Sequence, residues 1–137
     1  MAFLRHLALR CRDMEHSRRF YEQVIGWRFV GYRPSGKSLD LSDGVNNITI
    51  LQHDPTASRP QLPEGDEHIH FGVIVEDLPM VWQRAKDFGA VLAKEDVKAR
   101  NEIDMAEVPA QSFKVLDPDG NVVDVTCNRA EWRGVAL

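Results

Sequence analysis

The sequence has few cysteines, no long apolar run and no excess of positive charge. Its two cysteines, Cys11 and Cys127, have neither C-x-x-C spacing nor the density of a disulfide scaffold, so we expect reduced thiols. The 17 Lys and Arg residues are outnumbered by 21 Asp and Glu, for a net charge of -4, and no basic stripe indicates nucleic acid as a partner. No apolar stretch approaches the roughly 18 residues of a membrane span. The opening string MAFLRHLALRCRD is too short and too soon interrupted by charge for a signal peptide. We therefore expect a soluble cytoplasmic protein.

What is present is typical of one globular domain. The 137 residues are 43% hydrophobic and 28% charged, enough to bury one substantial core. We predict a single domain over residues 1–137, with a first module at about 1–53, a connector at 54–67, a second module at about 68–128 and a tail at 129–137. The connector is assigned because it is rich in proline and nearly without large apolar side chains.

The first module has the pattern β-α-β-β-β. A loosely alternating strand is predicted from Phe3 to Cys11, followed by a helix from Met14 to Ile25. Asp13 is a suitable N-cap for this helix, and Gly26 is a suitable C-terminal stop. Three short strands then follow, in the strings WRFVGYRP, KSLDLSDG and NNITILQH.

The second module repeats this pattern. HIHFGVIVE is a predicted strand, and the next helix begins at the N-cap Asp77, has Pro79 in its first turn and ends before Gly89. The strings AVLAKEDV, AQSFKVLD and NVVDVTC are strand candidates, and KARNEIDMAEVP is a predicted loop. A shift of 64 residues places His6 on His70 and Asp13 on Asp77. We therefore predict an α+β fold in which two paired β-α-β-β-β modules form a curved mixed sheet around a central cleft.

Strand alternation predicts which side chains face that cleft. The more apolar face of each strand should lie under its helix, which leaves His6 and His70 on the opposite face at equivalent positions. In the last strand the same argument places Asp124 on the cleft side. Two imidazoles and one carboxylate are the ligands of a mononuclear divalent metal site with open coordination positions. The set favours Fe(II) and is also compatible with Mn(II), Zn(II), Ni(II) and Co(II).

Three strings carry a resemblance to a known family. HLALRCRDMEHSRRFYEQVIGW, HFGVIVEDLPMVWQRAKDFGA and LDPDGNVVDVT occur in this order at this spacing, and together they resemble the vicinal oxygen chelate superfamily of glyoxalases, bleomycin-resistance proteins and extradiol dioxygenases. The resemblance covers nearly the whole chain and is much more specific for the fold than for the reaction. It implies metal ligands at His6, His70 and Asp124, where many relatives have Glu at the last position.

The resemblance also suggests further site residues. On the fourth strand the family's ligand or base position matches Thr49, which is a poor ligand and is retained as a substrate contact. Dioxygenase-like members have a histidine acid/base late in that strand, and the candidates for this catalytic role here are Asn47 and His53. Arg10 and His68 are candidates for substrate binding, with solvated positions at the strand ends as the alternative.

The function implied by the resemblance is a metal-dependent enzyme acting on a small substrate with two adjacent oxygens. The leading hypothesis is an oxidoreductase, an extradiol ring-cleavage dioxygenase, because the ligand set is two histidines and a carboxylate. A glyoxalase-like lyase or isomerase is the first alternative, and a non-catalytic drug-sequestering protein of the bleomycin-resistance type is the second. A homodimer is expected from the resemblance, and Trp132 in the tail either caps the cleft or lies in a dimer interface.

Overall fold

Two four-stranded mixed sheets, each accompanied by a helix, make up the fold. The computed structural model describes residues 1–54, 56, 70–92 and 106–135. The chain divides into two units, Met1–Pro60 and Gln61–Leu137. The predicted α+β class with repeated β-α-β-β-β modules is confirmed. In the described ranges, no helix is long and apolar enough to cross a membrane.

The sheet of the first unit contains, in spatial order, β1 (His6–Cys11), β4 (Asn47–Gln52), β3 (Ser38–Ser42) and β2 (Arg28–Tyr32). The first two are parallel, and the other neighbours are antiparallel. The parallel pair arises because the chain passes through the helix before it returns to the sheet. The helix α1, Met14–Phe20, lies between β1 and β2 in the chain.

Both ends of the first helical segment follow from local chemistry. The Asp13 side chain caps α1 by accepting a 2.9 Å hydrogen bond from the backbone N–H of His16. The chain is helical from Met14 to Ile25 as predicted, and its last five residues, Tyr21–Ile25, are wound as a wider π-helix. The N–H of Gly26 closes that turn on the carbonyl of Tyr21 at 2.9 Å, and Gly26 itself is left-handed at φ 89°.

The predicted alternation along β1 is confirmed. Leu9 and Cys11 are buried under the helix, whereas His6, Ala8 and Arg10 are exposed on the other face. The strand begins at His6 rather than at Phe3 as predicted: residues 3–5 are exposed, and the pairing with β4 starts where the Arg5 carbonyl accepts a 2.8 Å hydrogen bond from the N–H of Asn47.

The second unit repeats the topology with the order β5-β8-β7-β6 and a parallel β5–β8 pair. The Asp77 side chain caps the helix by accepting a 2.8 Å hydrogen bond from the N–H of Met80, and left-handed Gly89 ends it. The predicted strand AVLAKEDV is described only at its first part, since residues 93–105 lie outside the described ranges. The elements are β5 His70–Ile74, α2 Leu78–Phe88, β6 Val91–Leu92, β7 Ser112–Leu116 and β8 Val122–Thr126.

The core of the second unit lies between its sheet and α2. Val123 and Val125 are fully buried, and Phe113 packs edge-to-face on Trp82 of the helix with ring centroids 4.9 Å apart. Because side chains alternate, the residues between these core positions point to the opposite face of the sheet, and Asp124 is one of them.

Candidate functional site

In the second unit, the sheet face away from α2 brings together a histidine and a carboxylate. The β5–β8 register pairs His70 with Val122 and Gly72 with Asp124, so His70, Gly72 and Asp124 share this face. His70 Nε2 lies 3.8 Å from Asp124 Oδ2. We call this surface, with Lys114 described next, the site face of the second unit.

Lys114 on β7 is the direct cross-strand neighbour of Asp124. Its Nζ lies 3.1 Å from Asp124 Oδ2, and the two side chains are only 16% and 11% exposed. A partly buried carboxylate needs a compensating charge, which Lys114 supplies. Among the described residues, the buried Nδ1 of His70 has no hydrogen-bond partner.

Trp132 of the C-terminal tail packs on the same face. A Cβ placed on Gly72 would lie 2.2 Å from Trp132 Cζ2, so only glycine permits this approach. Trp132 therefore lies over Gly72 in its own unit, and its two predicted roles, as a cap of the cleft or a dimer contact, stay predictions.

In the first unit, the sheet face away from α1 carries a connected set of polar side chains. His6 Nδ1 lies 2.6 Å from Asn47 Oδ1. Thr49 Oγ1 lies 2.6 Å from Asp40 Oδ1, and Arg33 contacts both Thr49 and Asp40. We call this surface the site face of the first unit.

The remaining predicted site residues are distributed as follows. Thr49 is 2% exposed and already hydrogen-bonded, and Arg10 is exposed on the face that carries His6. His53 follows β4, is half-buried, and contacts the carbonyl of Asp54 through Nδ1 at 2.9 Å. His68 lies outside the described residues.

Sequence reasoning missed Lys114, Asp40 and Arg33. Alternation in SFKVL already places Lys114 opposite the core residues Phe113 and Val115, so the pattern could have indicated its face. The contact with Asp124 also requires the register between β7 and β8, which the pattern does not contain.

The donor types on the site face of the second unit fit a divalent ion. Two ligands at about 2.1 Å from one ion are roughly 3.0–3.4 Å apart, so the 3.8 Å between His70 Nε2 and Asp124 Oδ2 needs only a small adjustment. Lys114 opposes this fit, because it occupies the oxygen that a metal would use and would have to release it. In the residues described for each unit, no three His, Cys, Asp or Glu side chains form a set that could hold an ion, so His70 and Asp124 are an incomplete pair by themselves.

Comparison with known proteins agrees with the fold. The family model described as Glyoxalase/Bleomycin resistance protein/Dioxygenase superfamily matches residues 3–125. Virulence protein STM3117 of Salmonella typhimurium is 26% identical over 125 residues, which cover 88% of this chain and 81% of that protein.

Two solved structures show the same architecture. The fosfomycin resistance protein FosX from Mesorhizobium loti has a TM-score of 0.65 at 17% identity, over 93% of this chain and 92% of that chain. A glyoxalase family protein from Enterococcus faecalis has a TM-score of 0.62 at 21% identity, over 90% of this chain and 96% of that chain. At these identities the likeness concerns the fold.

Proposed function

The chain belongs to the Glyoxalase/Bleomycin resistance protein/Dioxygenase superfamily, and from this premise we propose a metal-dependent enzyme that acts on a small substrate with two adjacent oxygens. The observation that carries the proposal is the pair on the site face of the second unit, where His70 Nε2 lies 3.8 Å from Asp124 Oδ2. An imidazole and a carboxylate this close, at 31% and 11% side-chain exposure, supply two of the ligands that such an ion needs.

We propose His6, His70 and Asp124 as the ligands, with Fe(II) favoured over Mn(II), Zn(II), Ni(II) or Co(II). His6 is exposed at the start of β1. Its Nδ1 is hydrogen-bonded to Asn47, so Nε2 is the ring nitrogen that can bind a metal ion. When bound, the ion would polarise the substrate oxygens and lower the pKa of a substrate hydroxyl.

The side chains of β4 bear on the choice between the extradiol ring-cleavage reaction and the glyoxalase-like one. The β4 side chains on the site face are Asn47, Thr49 and Leu51, and this strand is described in full. A lyase or isomerase of the glyoxalase type needs a base that moves a proton on carbon, and these three side chains are not bases. His53, beyond the end of β4, is the acid/base candidate for either reaction, and the proposed ligands, two histidines and a carboxylate, are what place the dioxygenase first.

Two further residues would orient the substrate. Trp132 over Gly72 provides a flat apolar surface beside Asp124, suited to one face of an aromatic ring. Arg10, on the same face of β1 as His6, would bind an anionic group of the substrate.

A second function, binding without metal, is favoured by Lys114. Its Nζ already compensates Asp124 at 3.1 Å, as a protein that sequesters a ligand without an ion would require. In that case the site faces would bind a drug-like molecule and the protein would have no turnover, as in the bleomycin-resistance type.

Metal reconstitution separates the two functions. The protein is loaded with Fe(II) under anaerobic conditions, its iron content is measured, and oxygen uptake is followed with a panel of catechols. We expect about one iron per chain and oxygen consumption that His70→Ala and Asp124→Ala abolish, with His16→Ala on α1 as the matched control. Iron that fails to bind, or binds equally to Asp124→Ala, contradicts the metal site. Bound iron without oxygen uptake across the panel contradicts the dioxygenase reaction.

A further inference from the structure

The site face of the first unit contains a continuous path of contacts that ends on His6. At one end, Arg33 Nε lies 3.1 Å from both carboxylate oxygens of Asp40. At the other, His6 Nδ1 lies 2.6 Å from Asn47 Oδ1. Strand pairing explains the path, because His6 is the Cα partner of Asn47 and Asp40 is the Cα partner of Thr49.

Asp40 is held in its charged form. Burial raises the pKa of its carboxyl, but hydrogen bonds from Arg33, Thr49 and Asn47 outweigh burial and leave that pKa below its ordinary value. The Thr49 hydroxyl lies 2.6 Å from Asp40 Oδ1 and 3.1 Å from Asn47 Oδ1. Its single hydrogen goes to the shorter, charged contact. An ionised carboxylate only accepts hydrogen bonds.

This charge decides how the Asn47 amide is turned. Asn47 has one side-chain group that can donate, its Nδ2, and its side-chain hydrogen bond to Asp40 must therefore come from that nitrogen. The amide oxygen then points to His6, as the 2.6 Å contact shows. An amide oxygen accepts only, so the hydrogen in this contact belongs to His6 Nδ1.

We propose that this path of contacts fixes His6 in the tautomer with its hydrogen on Nδ1, which leaves the Nε2 lone pair available to a ligand. Asp40 and Asn47 are thus positioning residues, and Arg33 keeps Asp40 charged. The use of that lone pair for a metal rests on the proposed function, but the tautomer does not.

The tautomer can be measured directly in the protein without metal. A two-bond 1H–15N correlation spectrum of 15N-labelled protein, recorded at about pH 8.5, distinguishes the two neutral tautomers. We expect His6, assigned by its absence in His6→Gln, to show the pattern of a protonated Nδ1. The pattern of a protonated Nε2 overturns the inference.

Two variants test the cause. Asp40→Leu removes the acceptor that orients the amide, and Asn47→Leu removes the acceptor for His6. In each, we expect the tautomer ratio to shift by about tenfold toward protonated Nε2, as expected for the loss of one hydrogen bond.

The control is Asp54→Asn, which changes an exposed carboxylate that accepts hydrogen bonds from Thr56 and should leave the ratio unchanged. The backbone amide spectrum of each sample reports whether it is folded. An unchanged ratio in a folded Asp40→Leu protein assigns no role to Asp40 and overturns the path.

Binding of Mn(II), followed by its electron paramagnetic resonance signal, separates this inference from the proposed function. We expect Asn47→Leu to weaken Mn(II) binding at least tenfold, as for loss of a group that orients a ligand. A protonated Nδ1 on His6 in a wild-type protein that binds neither Mn(II) nor Fe(II) contradicts the proposed function and leaves the tautomer standing. Tight Mn(II) binding with a protonated Nε2 in the metal-free protein contradicts the tautomer alone.

Discussion

At the scale of single residues, the two site faces are notable for ion pairs whose carboxylates are partly buried. Asp124 is paired with Lys114 in one unit, and Asp40 is paired with Arg33 in the other. A pair such as Lys114 and Asp124, at 16% and 11% side-chain exposure, adds little net stability, but removing one partner leaves the other charge buried without compensation, which is costly. The role of the two pairs is better understood as orienting neighbours, since each carboxylate lies directly beside a residue of the proposed ligand set or of its support.

Asp40 allows a prediction about pH. Its folded-state pKa lies below the ordinary value of 3.8, with burial opposing the shift and hydrogen bonds from Arg33, Thr49 and Asn47 producing it. The stability it contributes is therefore present in full above pH 3.8 and is lost as the pH falls through the lowered folded-state value. We expect Asp40→Asn to lower the free energy of unfolding by roughly 1–3 kcal/mol at neutral pH.

Urea denaturation at a series of pH values measures this difference. The difference between wild type and Asp40→Asn should shrink toward zero as the pH falls below 3.8, while Asp54→Asn, being exposed, should stay close to wild type. A difference that stays constant down to the most acidic samples would show that Asp40 acts by packing rather than by charge.

At the scale of elements, the parallel strand pairs carry the site residues. In each unit the strand before the helix and the last strand lie side by side, β1 with β4 and β5 with β8. The parallel register places His6 beside Asn47 and Gly72 beside Asp124. The ring of Trp132, in the C-terminal tail, packs against Gly72.

The contact between Gly72 and Trp132 predicts that adding one methyl group at position 72 strongly lowers the free energy of unfolding. In Gly72→Ala the new Cβ would lie 2.2 Å from Trp132 Cζ2, so the ring must move. We expect a loss of roughly 1–3 kcal/mol in the free energy of unfolding, as for other overpacked positions, and a shift of tryptophan emission to longer wavelength.

A double-mutant cycle isolates this contact. In a Trp132→Ala background the same Gly72→Ala change should cost much less, because the obstructing ring is gone. Equal costs in both backgrounds would mean that alanine is unfavourable at this position for a reason other than Trp132.

At the scale of the whole molecule, ion binding should be coupled to stability. A ligand that binds only the folded chain stabilises it in proportion to the logarithm of its concentration over Kd. At 100 times Kd, the gain is ~2.7 kcal/mol, or roughly 8–12 °C in Tm for a chain of this length. Thermal denaturation with Mn(II) measures this shift.

The expected pattern across variants is specific. His70→Ala and Asp124→Ala should lose the shift, and Lys114→Met should bind the ion more tightly because no cation competes for Asp124 Oδ2. Lys86→Met, an exposed position on α2, is the matched control. A larger shift for wild type than for Lys114→Met would indicate that Lys114 supports the site rather than competes with the ion.

The sequence by itself determined the α+β class, the repeat of two modules and the faces of the strands that carry His6 and Asp124. These are consequences of local rules: helix caps at Asp13 and Asp77, glycine stops, and alternation of apolar side chains. The metal assignment of His6, His70 and Asp124 remains a prediction from the same rules and the family resemblance.

Only the tertiary structure decided the partners of these residues. Lys114 contacts Asp124, which lies ten residues along the chain, and Asn47 is brought to His6, forty-one residues away, by the register between two strands. It also revealed the π turn at Tyr21–Ile25 and the seat of Trp132 on Gly72. The physical reason is that a hydrogen-bonding partner depends on cross-strand register and on packing, which alternation within one strand leaves undetermined.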